Sequence, residues 1–335
     1  WWRVRPSSAA PLHGRVLAGG AGSGRRRSVV WAGPRRAGPA HSPRAPRMPY
    51  PAGMPSGSMI CPHCGKLIGV GEDRCPFCGA WRPGLYGVTP WVQRLFGRRL
   101  DLDRLIVVAC VALYVLALAL QPAAIFQTRG GGLFGSLFNF LSPGTRALYQ
   151  LGMTGGLAWQ QGWWWTVFSA IYLHGSLLHV LFNLMWVRQL GPAVTNVYGQ
   201  GRAFVIFTMA GAVGFVVSNL LGGAPTIGAS GSIFGLLAAL IVYGRRRRIS
   251  MLSAQLWQWA IVLFVMGFIM SGVNNWAHLG GFAGGWGSAA LMRFEDEKRE
   301  TPLVQLLALA LLALTVFAVA MSFARVTGLM LDAAR

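Results

Sequence analysis

Seven long apolar segments follow one another along the C-terminal two thirds of the chain. They cover residues 105–121, 176–194, 203–221, 229–243, 256–273, 276–292 and 303–323. An α-helix needs about 20 predominantly apolar residues to cross the hydrocarbon core of a bilayer. One such segment alone could be a buried core helix of a soluble protein. A series of them predicts an all-α, polytopic membrane protein embedded in a lipid bilayer.

The composition supports a membrane protein, and the basic residues predict its orientation across the membrane. The chain has a mean hydropathy of +0.47 and only 12% charged residues, about half the fraction typical of a soluble domain. Arginines precede the first apolar segment (Arg94, Arg98, Arg99 and Arg104) and follow the fourth ("GRRRR", 244–248). Because cytoplasmic flanks are enriched in Lys and Arg, we expect the N-terminus in the cytoplasm and the protein in the plasma (inner) membrane.

The large positive charge does not predict nucleic-acid binding. The formal net charge is +21, and ten of the thirty basic residues are arginines within residues 1–47. That segment is rich in Gly, Pro and Ala, a composition typical of disorder, and most other basic residues flank apolar segments. A more ordinary sequence begins at Met48, so we expect residues 1–47 to lie upstream of the natural start. No nucleic-acid partner is expected.

Four cysteines near the N-terminus have the spacing of a metal site. Residues 61–79 read "CPHCGKLIGVGEDRCPFCG", which contains two C-x-x-C-G motifs. Four thiolates at this spacing suit tetrahedral zinc, and so short a unit has no core to fold it without metal. We expect one structural zinc bound by Cys61, Cys64, Cys75 and Cys78. Disulfides or an iron centre stay open as alternatives, and the fifth cysteine, Cys110, falls in an apolar segment as a packing residue.

A few polar residues interrupt the apolar segments, and we expect them at a similar depth in the membrane. His174 and His179 lie in "HGSLLHVLFN", Ser230 in "GASGSIFG" (228–235) and His278 in "NNWAHLGGFAGG". Ionisable groups inside a bilayer are costly and usually mark function. The second, fourth and sixth segments run in the same direction, so these residues begin them near the same membrane face. The sequence therefore predicts that these polar groups meet.

Glycine patterns predict which helices come together. The fourth segment contains Gly231-x-x-x-Gly235, and the sixth contains both Gly280-x-x-x-Gly284 and Gly281-x-x-x-Gly285. Small residues four positions apart allow two helix backbones to approach closely in lipid. We therefore expect the fourth and sixth helices to pack together, next to Ser230 and His278.

The chemistry that fits this core is defined partly by a missing residue type. No Asp or Glu occurs from Arg104 through Phe294. Two-aspartate proteolysis and metalloprotease chemistry with a glutamate base both need carboxylates, and so do most proton-coupled carriers. A Ser–His dyad needs none and requires no cofactor. Ser230 would be the nucleophile and His278 the base that activates it.

The remaining site residues are predicted from their position beside this dyad. Phe234 lies one turn after Ser230 and would pack against the His278 ring. The Ser230 N–H, at a helix start, and the side chains of His179 and Asn183 would donate hydrogen bonds to an oxyanion. Gly228 and Gly231 would permit a tight turn and close approach of a substrate.

These motifs closely resemble the rhomboid family of intramembrane serine proteases. "HGSLLHVLFN", "GASGSIFG" and "AHLGGFAGG" stand in the family's order between about Trp163 and Met292. The resemblance implies a six-helix core with Ser230 on the fourth helix and His278 on the sixth, oxyanion roles for His179 and Asn183, and a structural place for His174. It also implies that the substrates are single-pass membrane proteins, cut in or near a transmembrane segment.

Three features lie outside the family pattern. Family members often have a Trp-Arg pair in the first long loop. This chain has Trp165-Thr166 at that place, which puts the anchoring of the loop in doubt. The seventh segment is shared by some rhomboids and is expected at the periphery. The zinc ribbon is an addition that would bind a cytoplasmic partner or regulate the enzyme.

Two functions other than proteolysis stay open from the sequence alone. A rhomboid-like pseudoprotease would bind membrane clients without cutting them, although such proteins typically lack the serine or the histidine. A channel or transporter would be expected to show membrane carboxylates or internal repeats.

The predicted organisation has five parts. Residues 1–58 are a disordered basic segment, 59–82 a zinc ribbon and 83–104 a linker. Residues 105–294 form the catalytic membrane domain, and 295–335 contain a cytoplasmic loop, the seventh transmembrane helix and a tail.

Overall fold

The computed structural model describes residues 58–61, 64–69, 72–79, 102–126, 139–270, 272–294 and 301–333. Nearly all of the predicted basic segment 1–58, including residues 1–47, lies outside the described residues. So does the predicted linker 83–104 up to residue 101.

A small β-hairpin carries the N-terminal cysteines. Strands β1 (Ser58–Ile60) and β2 (Leu67–Gly69) pair antiparallel, with Met59 opposite Ile68. Met59 and Ile68 are buried together with Cys61 and Cys75. This apolar cluster is too small to stabilise a unit of this size without a metal or a cross-link.

The rest of the described chain is mostly helical, with irregular segments between the helices. The long helices are α1 (Leu102–Leu120), α5 (Leu177–Tyr198), α6 (Gln200–Leu221), α7 (Ser230–Arg246), α8 (Ser250–Ile269), α9 (Asn275–Leu291) and α10 (Pro302–Ala333). Three short helices, α2 (Thr145–Leu151), α3 (Leu157–Gln160) and α4 (Thr166–Ser169), lie between α1 and α5. Short 3₁₀ turns occupy Pro122–Phe126 and Ala170–Tyr172.

The seven long helices coincide with the seven apolar segments, which confirms the prediction of an all-α, polytopic membrane protein. By length and composition, α1, α6, α8 and α10 could each cross a membrane. The segment Thr166–Tyr172 and α5 together form a fifth candidate span that is bent by 92°. The remaining two, α7 and α9, have 17 residues each, about 26 Å at 1.5 Å per residue, so they are the shortest of the seven.

Helix α9 lies between α6 and α7, and its glycines face both neighbours. A Cβ on Gly281 would overlap the Gly231 carbonyl, and one on Gly285 would overlap the backbone of Gly235. On the other face, a Cβ on Gly280 would come 2.7 Å from Val217 Cβ of α6. The predicted approach of the fourth and sixth helices therefore takes place through backbone contact at Gly281 and Gly285, whereas Gly280 and Gly284 serve the contact with α6.

The seventh helix, α10, contacts the short helices α2 and α4 as well as α6. Most of its apolar side chains are exposed, as expected for a helix at the periphery. Among the described residues, one buried hydrogen bond joins α10 to another element: Trp165 Nε1 donates to Ser322 Oγ at 3.1 Å. The helix thus holds the loop that contains Trp165 and Thr166.

Candidate active site

Ser230 is the first residue of α7, at the end of an irregular segment. The preceding Gly228 has φ +122°, which disfavours residues with a side chain, and its N–H donates to the Ala170 carbonyl at 2.9 Å. A Cβ at Gly228 would lie 2.7 Å from His179 Nε2. Glycine is therefore required here both for the turn into α7 and for the close approach of His179.

His278 lies in the first turn of α9 and its ring reaches Ser230. The distance between His278 Nε2 and Ser230 Oγ is 2.9 Å, which is a hydrogen bond. Only 6% of His278 is exposed. The short distance follows from the close packing of α7 on α9. A Cβ built on Gly231 would lie only 3.1 Å from the Ala277 carbonyl oxygen, so a larger residue there would push the two helices apart.

Two contacts fix the orientation of the His278 ring. Phe234 stacks on it with ring centroids 4.5 Å apart and an interplanar angle of 22°, as expected from the sequence. Asn275 Oδ1 lies 3.2 Å from His278 Nδ1. If Nδ1 carries the proton that Asn275 accepts, Nε2 is free to accept the proton of Ser230.

Sequence reasoning missed Asn275. It precedes His278 by three residues on α9, and residues at that spacing are neighbours on a helix surface, so the "NNWAH" stretch contained the signal. Asn275 also fills the space left by Gly267 of α8. The base therefore has a polar partner in a core without carboxylates.

His179 and Asn183 lie on one face of α5. The Gly175 N–H donates to His179 Nδ1 at 3.3 Å, which leaves the proton on Nε2, the atom beside Gly228. Asn183 Nδ2 donates to the His179 carbonyl at 2.8 Å, and its Oδ1 is buried without a hydrogen-bond partner in the described part of the chain. The two donors expected at an oxyanion therefore sit together, and His179 Nε2 is next to the segment that leads into Ser230.

His174 is fully buried and packs edge to face on His179, with ring centroids 5.0 Å apart. Both of its ring nitrogens are buried without a hydrogen-bond partner in the described part of the chain. The structural role that the sequence resemblance implies for His174 stays a prediction.

Thr166, at the place of the expected arginine, is fully buried. Its Oγ1 lies 3.0 Å from Thr154 Oγ1 and 2.7 Å from the Trp163 carbonyl oxygen. The loop is thus anchored by hydroxyls at Thr166 and by the Trp165–Ser322 hydrogen bond, without a charged side chain.

The four N-terminal cysteines converge, as the spacing predicts. Their sulfur atoms all lie within 4.8 Å of one another, and the pairs Cys61–Cys78 and Cys64–Cys75 are each 3.7 Å apart. A tetrahedron with metal–sulfur bonds of about 2.3 Å has sulfurs about 3.8 Å apart, so the residues fit a bound metal ion. Separations of 3.7 Å exclude disulfides between these pairs.

The backbone around the cysteines supports metal binding. Gly65 and Gly79, which end the two C-x-x-C-G motifs, both have φ +70°, and their N–H groups donate to the Cys61 and Cys75 carbonyls. Burial raises the pKa of Cys75, but hydrogen bonds from the backbone at Cys78 and Phe77 and from neighbouring thiols lower it to about 7. A thiolate is therefore accessible near neutral pH, and thiolates are the form that binds metals.

The fold and the site together define a class: a polytopic membrane protein with a Ser–His pair held between two closely packed helices. A comparison with known protein families matches one of them. The model of the Rhomboid domain matches residues 161–295, which contain Ser230, His278, His179 and Asn183.

The chain is also similar to proteins that are named as rhomboid proteases or rhomboid-like proteins. The chain is 32% identical to the rhomboid protease GluP of Bacillus subtilis over 154 residues, 45% of this chain and 30% of GluP. It is 30% identical to RHOMBOID-like protein 7 of Arabidopsis thaliana, over 49% of this chain and 56% of the relative. It is also 30% identical to the putative rhomboid protease YdcA of B. subtilis, over 49% of this chain and 85% of YdcA. The chain belongs to the rhomboid family, although it spans less than two thirds of GluP and of RHOMBOID-like protein 7.

Proposed function

We propose that this protein is an intramembrane serine endopeptidase that cleaves membrane-protein substrates with a Ser230–His278 dyad. The observation that carries the proposal is the 2.9 Å hydrogen bond between His278 Nε2 and Ser230 Oγ. A serine hydroxyl is a weak nucleophile until an adjacent base takes its proton, and His278 Nε2 is close enough to Ser230 Oγ to be that base.

The reaction has two steps. Ser230 Oγ attacks the carbonyl carbon of the scissile peptide bond while its proton passes to His278 Nε2. The protonated His278 then donates that proton to the leaving amine, and an ester to Ser230 forms. Water attacks the ester, again with His278 as base, and releases the acid and the free serine.

The negative oxygen that forms in each step needs donors aimed at it. The Ser230 N–H is available because the first N–H groups of a helix have no intrahelical partner. His179 Nε2 and the Asn183 amide are the side-chain donors on α5. Phe234 and Asn275 hold the His278 ring while it exchanges protons.

The position of the site supports a proposal about the substrate class. Ser230 and His278 lie at the starts of two membrane-domain helices, and only 6% of His278 is exposed. We therefore propose that a substrate brings an extended backbone into the membrane domain. We propose single-pass transmembrane proteins with readily unwound segments as substrates, in the plasma (inner) membrane. The N-terminus would lie in the cytoplasm, which places the ribbon where a cytoplasmic partner could bind it.

For the cysteine cluster we propose zinc as the metal. Cys61, Cys64, Cys75 and Cys78 would hold the ion, whose role is to fold the ribbon. No cofactor is proposed for catalysis.

A fluorophosphonate probe tests the catalytic proposal directly, because it reacts with an activated serine. We expect the purified wild-type protein to be labelled and Ser230→Ala to remain unlabelled. His278→Ala should abolish both labelling and cleavage of a transmembrane substrate while the protein keeps its thermal unfolding temperature.

A folded wild type that neither reacts with the probe nor cleaves any transmembrane substrate would favour a pseudoprotease that binds clients. Labelling that survives Ser230→Ala would place the reactive serine elsewhere.

A further inference from the structure

The residues four positions before Ser230 and four positions before His278 are hydrogen-bonded to each other. Asn274 Nδ2 donates to Thr226 Oγ1 at 3.0 Å. Thr226 lies in the irregular segment that leads into α7, and Asn274 is the residue that caps α9. The link therefore joins the two segments from which the proposed nucleophile and base emerge.

Asn274 is held by all four hydrogen bonds that an asparagine amide can make. Its Oδ1 accepts from the N–H groups of Trp276 and Ala277 at 3.1 and 3.3 Å. Its Nδ2 donates to Ser218 Oγ of α6 at 2.6 Å as well as to Thr226. An amide with two donors and two accepting lone pairs has no further capacity, so the side chain has one fixed orientation.

Thr226 is equally fixed. It is 92% buried, with 8% of its surface exposed. Its N–H donates to the Thr154 carbonyl at 2.8 Å and its hydroxyl donates to the Ala224 carbonyl at 2.8 Å. Thr154 is itself tied to α6, because Asn219 Nδ2 donates to its hydroxyl at 3.0 Å. The Thr226–Asn274 link thus stands on a polar network rather than on one side chain.

The link lies on the opposite side of the dyad from the glycine contact. Directly after Ser230, Gly231 meets the backbone of α9 at Gly281, and no side chain there can bond across the interface. Directly before the dyad, the Thr226–Asn274 hydrogen bond is the polar connection. Ser230 and His278 lie between these two points. Asn274 meets His278 through the backbone, since its carbonyl accepts from the His278 N–H at 3.4 Å, while its side chain bonds to Thr226 and Ser218.

We propose that Thr226 and Asn274 are positioning residues that set the alignment of Ser230 Oγ with His278 Nε2. This inference rests on the proposed function. A displacement of about 1 Å at a reacting pair can slow a reaction by about 10²-fold. Loss of the link should therefore slow the chemical step without removing a group that performs it.

The test measures two quantities of fluorophosphonate labelling in full-length protein. The final labelled fraction reports how much protein is folded, and the rate constant reports the alignment of the dyad. Thr226→Val keeps the shape of threonine but removes the hydroxyl. Asn274→Ser keeps a good helix cap but is too short to reach Thr226. We expect a rate constant lower by roughly tenfold or more in both, with the labelled fraction unchanged.

Three further variants sharpen the comparison. Thr226→Ser restores the hydroxyl and should return the rate constant to within about twofold of wild type. Thr315→Val is a matched control, because Thr315 is a buried threonine whose hydroxyl bonds only within α10. The double variant Thr226→Val/Asn274→Ser should be no slower than the slower single variant, since both remove the same link.

A purely structural role predicts a different result: a smaller labelled fraction that still reacts at the wild-type rate. That outcome, or multiplying effects in the double variant, would overturn the proposal. With a transmembrane substrate, kcat should fall and KM should stay the same. If the wild type itself is not labelled, the proposed function fails first, so the two failures are distinguishable.

Discussion

At the scale of single residues, three side chains in the described part of the chain bond to or stack on the His278 ring, and each affects a different property of it. Ser230 Oγ lies within hydrogen-bond distance of Nε2, Phe234 stacks on the ring plane, and Asn275 Oδ1 lies beside Nδ1, where it would favour the tautomer that carries the proton there. An asparagine can orient an imidazole but brings no negative charge to stabilise the imidazolium. The site is therefore consistent with a membrane core in which a buried carboxylate would be expensive.

Asn275→Ala should slow labelling of Ser230 by a fluorophosphonate by roughly ten- to a hundredfold, because the imidazole loses the partner that sets its rotation. Phe234 would still hold the ring plane, so activity should fall without vanishing. The measurement is the labelling rate constant, compared with the labelled fraction. Asn196→Asp, at an exposed position on α5, should react at the wild-type rate.

Wild-type kinetics in Asn275→Ala would show that stacking alone orients the base. A slow variant with a low labelled fraction would instead indicate loss of folded protein.

At the scale of elements, α9 packs against two helices at once because its two glycine pairs face different neighbours. Gly281 and Gly285 meet α7, and Gly280 and Gly284 meet Val217 and Val213 of α6. Dispersion and close backbone approach drive helix association in lipid, so these contacts set both the packing and the separation of Ser230 from His278.

Gly281→Ala should destabilise the protein by about 1–3 kcal/mol, as overpacking of a closely packed interface generally does. The new methyl group would overlap the Gly231 carbonyl, so α7 and α9 must separate. We expect a lower thermal unfolding temperature and slower labelling of Ser230 in the same variant.

Gly287→Ala is the matched control on the same helix. Nothing lies within 4 Å of a Cβ at Gly287, and alanine favours a helix over glycine by up to about 1 kcal/mol. Its unfolding temperature should be equal to or above that of the wild type. Equal destabilisation by both substitutions would mean that helix propensity, not the α7–α9 contact, decides the effect.

The helices and their glycine patterns could be predicted from the sequence because both are local signals. An apolar run needs no knowledge of its neighbours, and four-residue spacing indicates a face. The sequence could not assign Gly280 and Gly281 to different partners, because that depends on the rotation of α9 between α6 and α7. The Thr226–Asn274 and Trp165–Ser322 hydrogen bonds were missed for a similar reason: their members are 48 and 157 residues apart.

At the scale of the whole molecule, two kinds of physical chemistry stabilise two parts of the chain. The membrane helices depend on extensive apolar surface and close backbone contacts. The ribbon has a buried cluster of Met59, Ile68, Cys61 and Cys75, which is far below what a small domain needs to fold without help. Metal binding would supply that stability, since the free energy of binding is then free energy of folding.

The ribbon yields the most direct chemical prediction. Purified protein should contain about one zinc per chain, measured by mass spectrometry of the metal, and Cys61→Ser should lose it because three thiolates bind a structural zinc far more weakly than four. Cys110→Ser is the matched control: Cys110 is fully buried in α1 and is not among the four clustered cysteines, so this variant should retain the metal. Replacement by cobalt should give the visible absorption of a tetrahedral thiolate site, which would be absent in Cys61→Ser. Iron in place of zinc, or a metal content that depends on Cys110, would contradict the assignment of a zinc ribbon.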